Sequence, residues 1–168
     1  MGVGFFVDTV LFIKLLCLLG AANYAPLLAR KLLGARLSFP IDSGRHFFDG
    51  RPLLGEAKTL RGLVASVLLT ALVAPLLAMP MLFGALFASA SMVGDLFSSF
   101  IKRRLGKPSS SMCPGLDQIP EALLPLLIFQ QRLDLSVPGI VGIVAAFWVC
   151  ELLASRILYR FNLRDHPY

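Results

Sequence analysis

Residues 62–94 are 33 consecutive positions without a formal charge, bounded by Arg61 and Asp95. Crossing a bilayer takes about 20 mostly apolar residues, so this run is too long for one span. Pro75 and Pro80 punctuate it and divide it into two. Backbone polar groups inside a bilayer must be satisfied within the chain, so both pieces are read as helices. The remainder follows the same pattern. Of 168 residues, 57% are hydrophobic and only 15% charged, against about 25% charged in globular domains. Because the apolar sequence is spread from end to end, residues 1–168 are expected to form a single transmembrane domain rather than a soluble domain with an anchor. The first residues carry no positive n-region and no convincing cleavage site, so a removed signal peptide is not expected.

Five spans follow, giving an all-α, polytopic membrane helix bundle. They run from about Val7 to Leu33 (with a kink near Ala22–Asn23 set by Pro26), Leu63 to Met79, Met81 to Ile101, Ile119 to Gln131, and Pro138 to Tyr159. The fourth is short for a span. Basic residues crowd alternate connections: Arg30 through Arg61, then Lys102, Arg103, Arg104 and Lys107, then Arg156, Arg160 and Arg164 in the tail. The positive-inside bias therefore puts the N-terminus outside, the C-terminus in the cytosol, and any chemistry on the cytosolic side of a multi-pass cell-membrane protein. Segments at about 34–62 and 102–118 become cytosolic loops. The first, punctuated by Pro40, Gly44, Gly50, Pro52 and Gly55, is expected to be ordered but irregular. The net charge of +6 fits headgroups or an anionic substrate in this setting, not nucleic acid. Cys17, Cys113 and Cys150 show no disulfide or zinc spacing and are expected to be small buried hydrophobes.

Asp95 is the first candidate for function, since a carboxylate at membrane depth is expensive unless it meets a cavity, a metal or a cation. On a helix, Asp95, Ser98, Ser99 and Lys102 share one face. Asp117 and Glu121, four apart, open the fourth span; Asp117 is either the N-cap of that helix or a second acid facing Asp95. Two acids at one level suit Mg²⁺, which is held by one or two carboxylates plus phosphate oxygens and water. Lys102, Arg103 and Lys107 with Ser109 and Ser110 suit a triphosphate, although the positive-inside bias alone would also place such bases there. Lys58-Thr59 lacks the glycine spacing of a Walker loop. His46 is read as an ordinary surface side chain.

Gly94-Asp95-Leu96, Ser99, Lys102-Arg103, Gly106-Lys107, Ser109-Ser110, Pro114-Gly115 and Leu116-Asp117 together resemble the C-terminal signature of the CTP:phosphatidate cytidylyltransferases, or CDP-diacylglycerol synthases. The short chain and a first loop with Pro40-Ile41-Asp42, Asp49-Gly50-Arg51 and Lys58-Thr59-Leu60-Arg61-Gly62 resemble that family's archaeal branch, the CDP-archaeol synthases, over nearly the whole length. Pro108, Ser98, Gln118 and Pro120 stand where the broader family has charged residues.

The resemblance implies a nucleotidyltransferase that moves CMP from CTP onto an isoprenoid ether lipid phosphate, 2,3-bis-O-geranylgeranylglycerol 1-phosphate. Asp95, Asp117, Lys102 and Arg103 would then be catalytic. Asp95 and Asp117 would hold Mg²⁺, with Glu121 standing in for a lost acid. Lys58, Thr59, Arg61, Lys107, Ser109, Ser110 and Asn23 would contact CTP. A homodimer is compatible with this reading. The rival from another class is a small cation or proton transporter using the intramembrane acids; it requires a polar path right across the bilayer.

Overall fold

A computed structural model describes residues 7–111 and 113–160; Arg164, counted in the basic tail, lies outside them. The fold is five helices: α1 (Thr9–Leu33), α2 (Leu60–Leu76), α3 (Met81–Arg104), α4 (Gln118–Ile128) and α5 (Val137–Arg160). Among the described residues there is no strand, only two isolated bridges in the first loop. Each helix packs on its neighbours in sequence, α5 closes on α1, and α1 also touches α3.

Three helices, α1, α3 and α5, are long and apolar enough to cross a membrane. The 17 residues of α2 reach about 26 Å and the 11 of α4 only about 16 Å. The shortness of α4 has a geometric cause. Gly94, ten residues before the end of α3, sits against the backbone of Pro120 and Glu121 at the start of α4. Phe129, just past the end of α4, packs on Phe83 with ring centroids 5.0 Å apart. Thus α4 runs antiparallel along only the first half of α3. The connection from Leu105 to Asp117 dips back beside the second half of α3 before α4 begins.

Helix contacts in lipid depend on close packing of small residues more than on a hydrophobic drive. A Cβ on Gly84 would meet Ala74 Cβ and Thr70 O at 2.6 Å, so α2 and α3 approach through a glycine. Pro26 sits inside α1 without ending it, its ring 3.1 Å from where a Cβ on Gly62 of α2 would lie.

The bundle has two unlike ends. At one, Leu15, Leu18, Leu19, Phe87, Leu126 and Ile143 are all fully buried in one apolar cluster. The other, the loop end, joins the last turns of α1, α3 and α5 to the starts of α2 and α4, and the buried charged side chains Lys102, Arg103, Glu121 and Glu151 lie there. Cys17 and Cys150 are exposed on the bundle surface rather than buried as expected, since their small side chains need no partner against lipid.

The first loop is tied together by hydrogen bonds of its own. Residues 39–41 pair with 58–60: Ile41 N–H donates to Lys58 O at 2.8 Å and Leu60 N–H to Phe39 O at 3.0 Å. Asp42, 6% exposed, collects the N–H groups of Gly44, Leu54 and Gly55 at 2.8–3.0 Å. Burial would raise its carboxyl pKa, but those three N–H donors more than offset this and hold it below the usual value. Arg104 fastens the loop to α3. Its guanidinium pairs with Asp49 and lies 4.8 Å and 5.0 Å from the ring centroids of Phe47 and Phe100.

Candidate active site

At the loop end a cavity of about 1240 Å³ opens between the two loops and the helices. It gathers Asn23, Lys58, Thr59, Arg61, Asp95, Lys102, Arg103, Ser109, Ser110, Asp117 and Glu121. These are all the residues expected to act in catalysis, metal binding or CTP binding except Lys107, which lines a second cavity of about 630 Å³ between the loops. Four residues, Gly44, Glu56, Arg103 and Ser109, border both cavities.

Two ion pairs organise the larger cavity. Lys58 Nζ lies 2.7 Å from Asp95 Oδ1 and 2.5 Å from Oδ2. Burial alone would lower the Lys58 pKa, but the Asp95 carboxylate, helped by Glu121 and Asp117, more than offsets it and holds the ammonium above its ordinary value. Lys102 Nζ lies 2.6 Å from Asp117 Oδ1 and donates to Ser111 O at 3.0 Å. The sequence leaves Asp117 as either a cap or a second acid of the site. It occupies the N-cap position of α4, yet its side chain makes no capping bond. Its Oδ2 accepts from Cys113 N–H at 2.9 Å, while Oδ1 faces Lys102.

Other expected contacts are spoken for. Asn23 Nδ2 donates to both oxygens of Glu121, at 3.1 and 2.9 Å. Arg61 Nη1 donates to Gly34 O and Arg36 O at 2.8 and 2.6 Å, tying the end of α1 to the start of α2. Thr59 Oγ1 caps α2 by accepting from Gly62 N–H at 3.2 Å. Arg103 is 4% exposed and its Nη2 donates to Pro108 O at 2.9 Å. Of the four residues on one face of α3, Asp95, Ser99 and Lys102 line the cavity, while Ser98 donates to Gly94 O at 3.0 Å, the back-bonding usual for serine in a helix.

Asp95, Asp117 and Glu121 share the cavity, but among the described residues no three acids, histidines or cysteines converge into a metal cage. Glu121 is turned to Asn23, and the other two each face a lysine. That donor set fits a cation held by two carboxylates at most, its remaining ligands being phosphate oxygens and water. Glu151 was missed. It lies 6% exposed within α5 and lines the same cavity. The criterion that singled out Asp95, an acid inside apolar sequence, applies to it equally.

The chain matches the family model described as CarS-like, CDP-archaeol synthase, over residues 7–81 and 77–168. A CDP-archaeol synthase of Pyrobaculum calidifontis is 33% identical over 152 residues, 88% of this chain and 90% of that one. One from Sulfurisphaera tokodaii is 32% identical over 77% of this chain and 81% of its own. One from Hyperthermus butylicus is 45% identical over 59% of this chain and 60% of its own. A solved structure described as "Structural insight into an intramembrane enzyme for archaeal membrane lipids biosynthesis" superposes with a TM-score of 0.76 at 29% identity, covering 89% of this chain and 96% of that one.

Proposed function

We infer what the cavity does from the premise that the chain belongs to the CarS-like CDP-archaeol synthase family: it is a membrane cytidylyltransferase of archaeal lipid biosynthesis. In this reading an oxygen of the lipid phosphate attacks the α-phosphorus of CTP. The new bond joins that oxygen to the α-phosphorus, the bond from the α-phosphorus to the bridging oxygen breaks, and pyrophosphate leaves. The acceptor is 2,3-bis-O-geranylgeranylglycerol 1-phosphate, and the loop end faces the cytosol, where CTP is found.

The observation that carries the site is the pairing of two membrane-level carboxylates, Asp95 and Asp117, with two lysines in one cavity. Asp95 and Asp117 would hold a divalent cation, Mg²⁺, whose contribution is to neutralise charge on the triphosphate. Lys58, Lys102 and Arg103 stand where they can bind the phosphates and stabilise the leaving group. Lys107, Ser109 and Ser110 extend that basic lining toward the second cavity and the solvent. Thr59 and Arg61 hold the start of α2, and with it Lys58, in place. Asn23 keeps Glu121 turned to the cavity wall. Pro26, Leu27, Phe39, Leu63 and Met92 give the isoprenoid stems an apolar wall in the same cavity. No general base is required, because a phosphate monoester with its second pKa near 6 is already a nucleophilic anion at pH 7. Ion transport is the weaker reading, because fully buried leucines and phenylalanines close the opposite end of the bundle.

The test is CDP-lipid formation by the purified chain in detergent with Mg²⁺, offering the unsaturated ether phosphate or a diacyl phosphatidate. Product from the ether lipid, lost in Asp95→Asn and Asp117→Asn, supports the reading. Equal use of both lipids would overturn the substrate assignment, and full activity in both variants would overturn the site.

A further inference from the structure

Each carboxylate assigned to the cation is already occupied by a lysine. Lys58 Nζ contacts both oxygens of Asp95 at 2.5–2.7 Å, and Lys102 Nζ contacts Asp117 at 2.6 Å. The two lysines come from different elements, one from the paired base of the first loop and one from α3. Their backbones are fixed: Lys58 O accepts from Ile41 N–H at 2.8 Å, and Lys102 lies in the last turn of α3. Exchange needs only their side chains to swing, and a lysine stem is flexible.

Mg²⁺ binds carboxylate oxygens at about 2.0–2.1 Å. An ammonium 2.5–2.7 Å from the same oxygens stands in the space that cation and its other ligands need. Both carry positive charge, so the cation enters only if the lysine leaves. Lys102 is buried and the Lys58 side chain is largely covered, and a lysine so placed leaves its carboxylate readily only when another anion accepts it. We propose that Lys58 and Lys102 are stand-in cations, holding Asp95 and Asp117 until a nucleotide triphosphate arrives to take the lysines while its metal takes the carboxylates. This rests on the reading of Asp95 and Asp117 as the cation's ligands. It goes further in fixing the order of events: metal and nucleotide arrive together, and metal alone binds poorly. It also explains why lysine suits these two positions. An arginine would grip its carboxylate through two parallel bonds and exchange less readily.

Mn²⁺ alone is the probe, read by loss of the free-ion electron paramagnetic resonance signal on the full-length chain in detergent, without nucleotide. The wild-type chain is expected to bind weakly. Lys58→Met should tighten Mn²⁺ binding by about tenfold or more, since removing a charge this close relieves a large repulsion. Lys58→Arg should not tighten it. Adding Asp95→Asn to Lys58→Met should abolish the gain, which places the ion on Asp95. Lys102→Met probes the other carboxylate independently, so the proposal stays testable if one variant fails to fold. Equal Mn²⁺ binding by wild type and both folded methionine variants would overturn the proposal. CDP-lipid formation by the unaltered chain is read separately, so failure of the reaction and failure of the exchange are distinguishable.

Discussion

At the scale of single residues, the site is a set of charges that lipid would reject unless paired. Replacing Asp95 or Asp117 with asparagine should lower kcat/KM by about 100-fold or more while the chain stays folded, because in the proposed function each carboxylate would hold the cation that neutralises the reacting phosphates. Steady-state kinetics with size-exclusion profiles of both variants check this. Asp42 acts on structure instead. Its carboxylate satisfies three N–H groups, and leaving them unpaired in Asp42→Ala should cost roughly 1–3 kcal/mol apiece at most. Because its folded pKa lies below the unfolded value near 3.8, its charge stabilises the loop above that pH. The benefit is lost as pH falls through the folded pKa. Proteolysis of the first loop should therefore separate wild type from Asp42→Ala clearly at pH 7 and progressively less below about pH 4. Asp95 was legible in the sequence because an acid amid apolar residues stands out. The partners of Asn23 and Arg61 were not, since both bond to groups that sequence alone leaves unplaced. Glu151 was visible by the same rule as Asp95 and was passed over.

At the scale of elements, a glycine sets the depth of the site. Gly94 lets the start of α4 touch α3 beside Asp95, and a Cβ there would lie 2.9 Å from Glu121 Cα, within backbone that cannot yield cheaply. Gly94→Ala should destabilise the bundle by about 1–3 kcal/mol and depress activity further than stability, because it shifts Asp117 and Glu121 away from Asp95. Gly20→Ala, with nothing within 4 Å of the added carbon, is the matched control. It should leave activity unchanged and the melting temperature equal or slightly higher. Five helices were readable from apolar runs, and all five lie close to their expected bounds. The half-length of α4 was readable only as a short run. Its cause, the descent of residues 105–117 alongside α3, depends on a contact between Gly94 and Pro120 that no local pattern reveals. The kink expected from Pro26 was a local inference too, and α1 continues through it to Leu33.

At the scale of the whole molecule, a dry end and a charged end divide the work. One end is packed with leucine and phenylalanine; the other holds acids and bases around a cavity with one apolar wall. Under the proposed function, such a plan would admit a lipid from the side and a nucleotide from the water, and the apolar end argues against ion passage. If the loop end is cytosolic, Ser110→Cys in a background with Cys17, Cys113 and Cys150 replaced by serine should react with an impermeant maleimide in inside-out vesicles and stay protected in right-side-out ones. The opposite pattern would invert the topology drawn from the basic loops. The central claim is that CMP, not a phosphoryl group, passes to the lipid. The direct measurement follows the fate of CTP labelled at the α- or the γ-phosphorus with the ether lipid phosphate. The expected result is α-label in the lipid and γ-label in released pyrophosphate, both abolished by Asp95→Asn. Transfer of γ-label to the lipid, or label release without lipid product, would contradict the account.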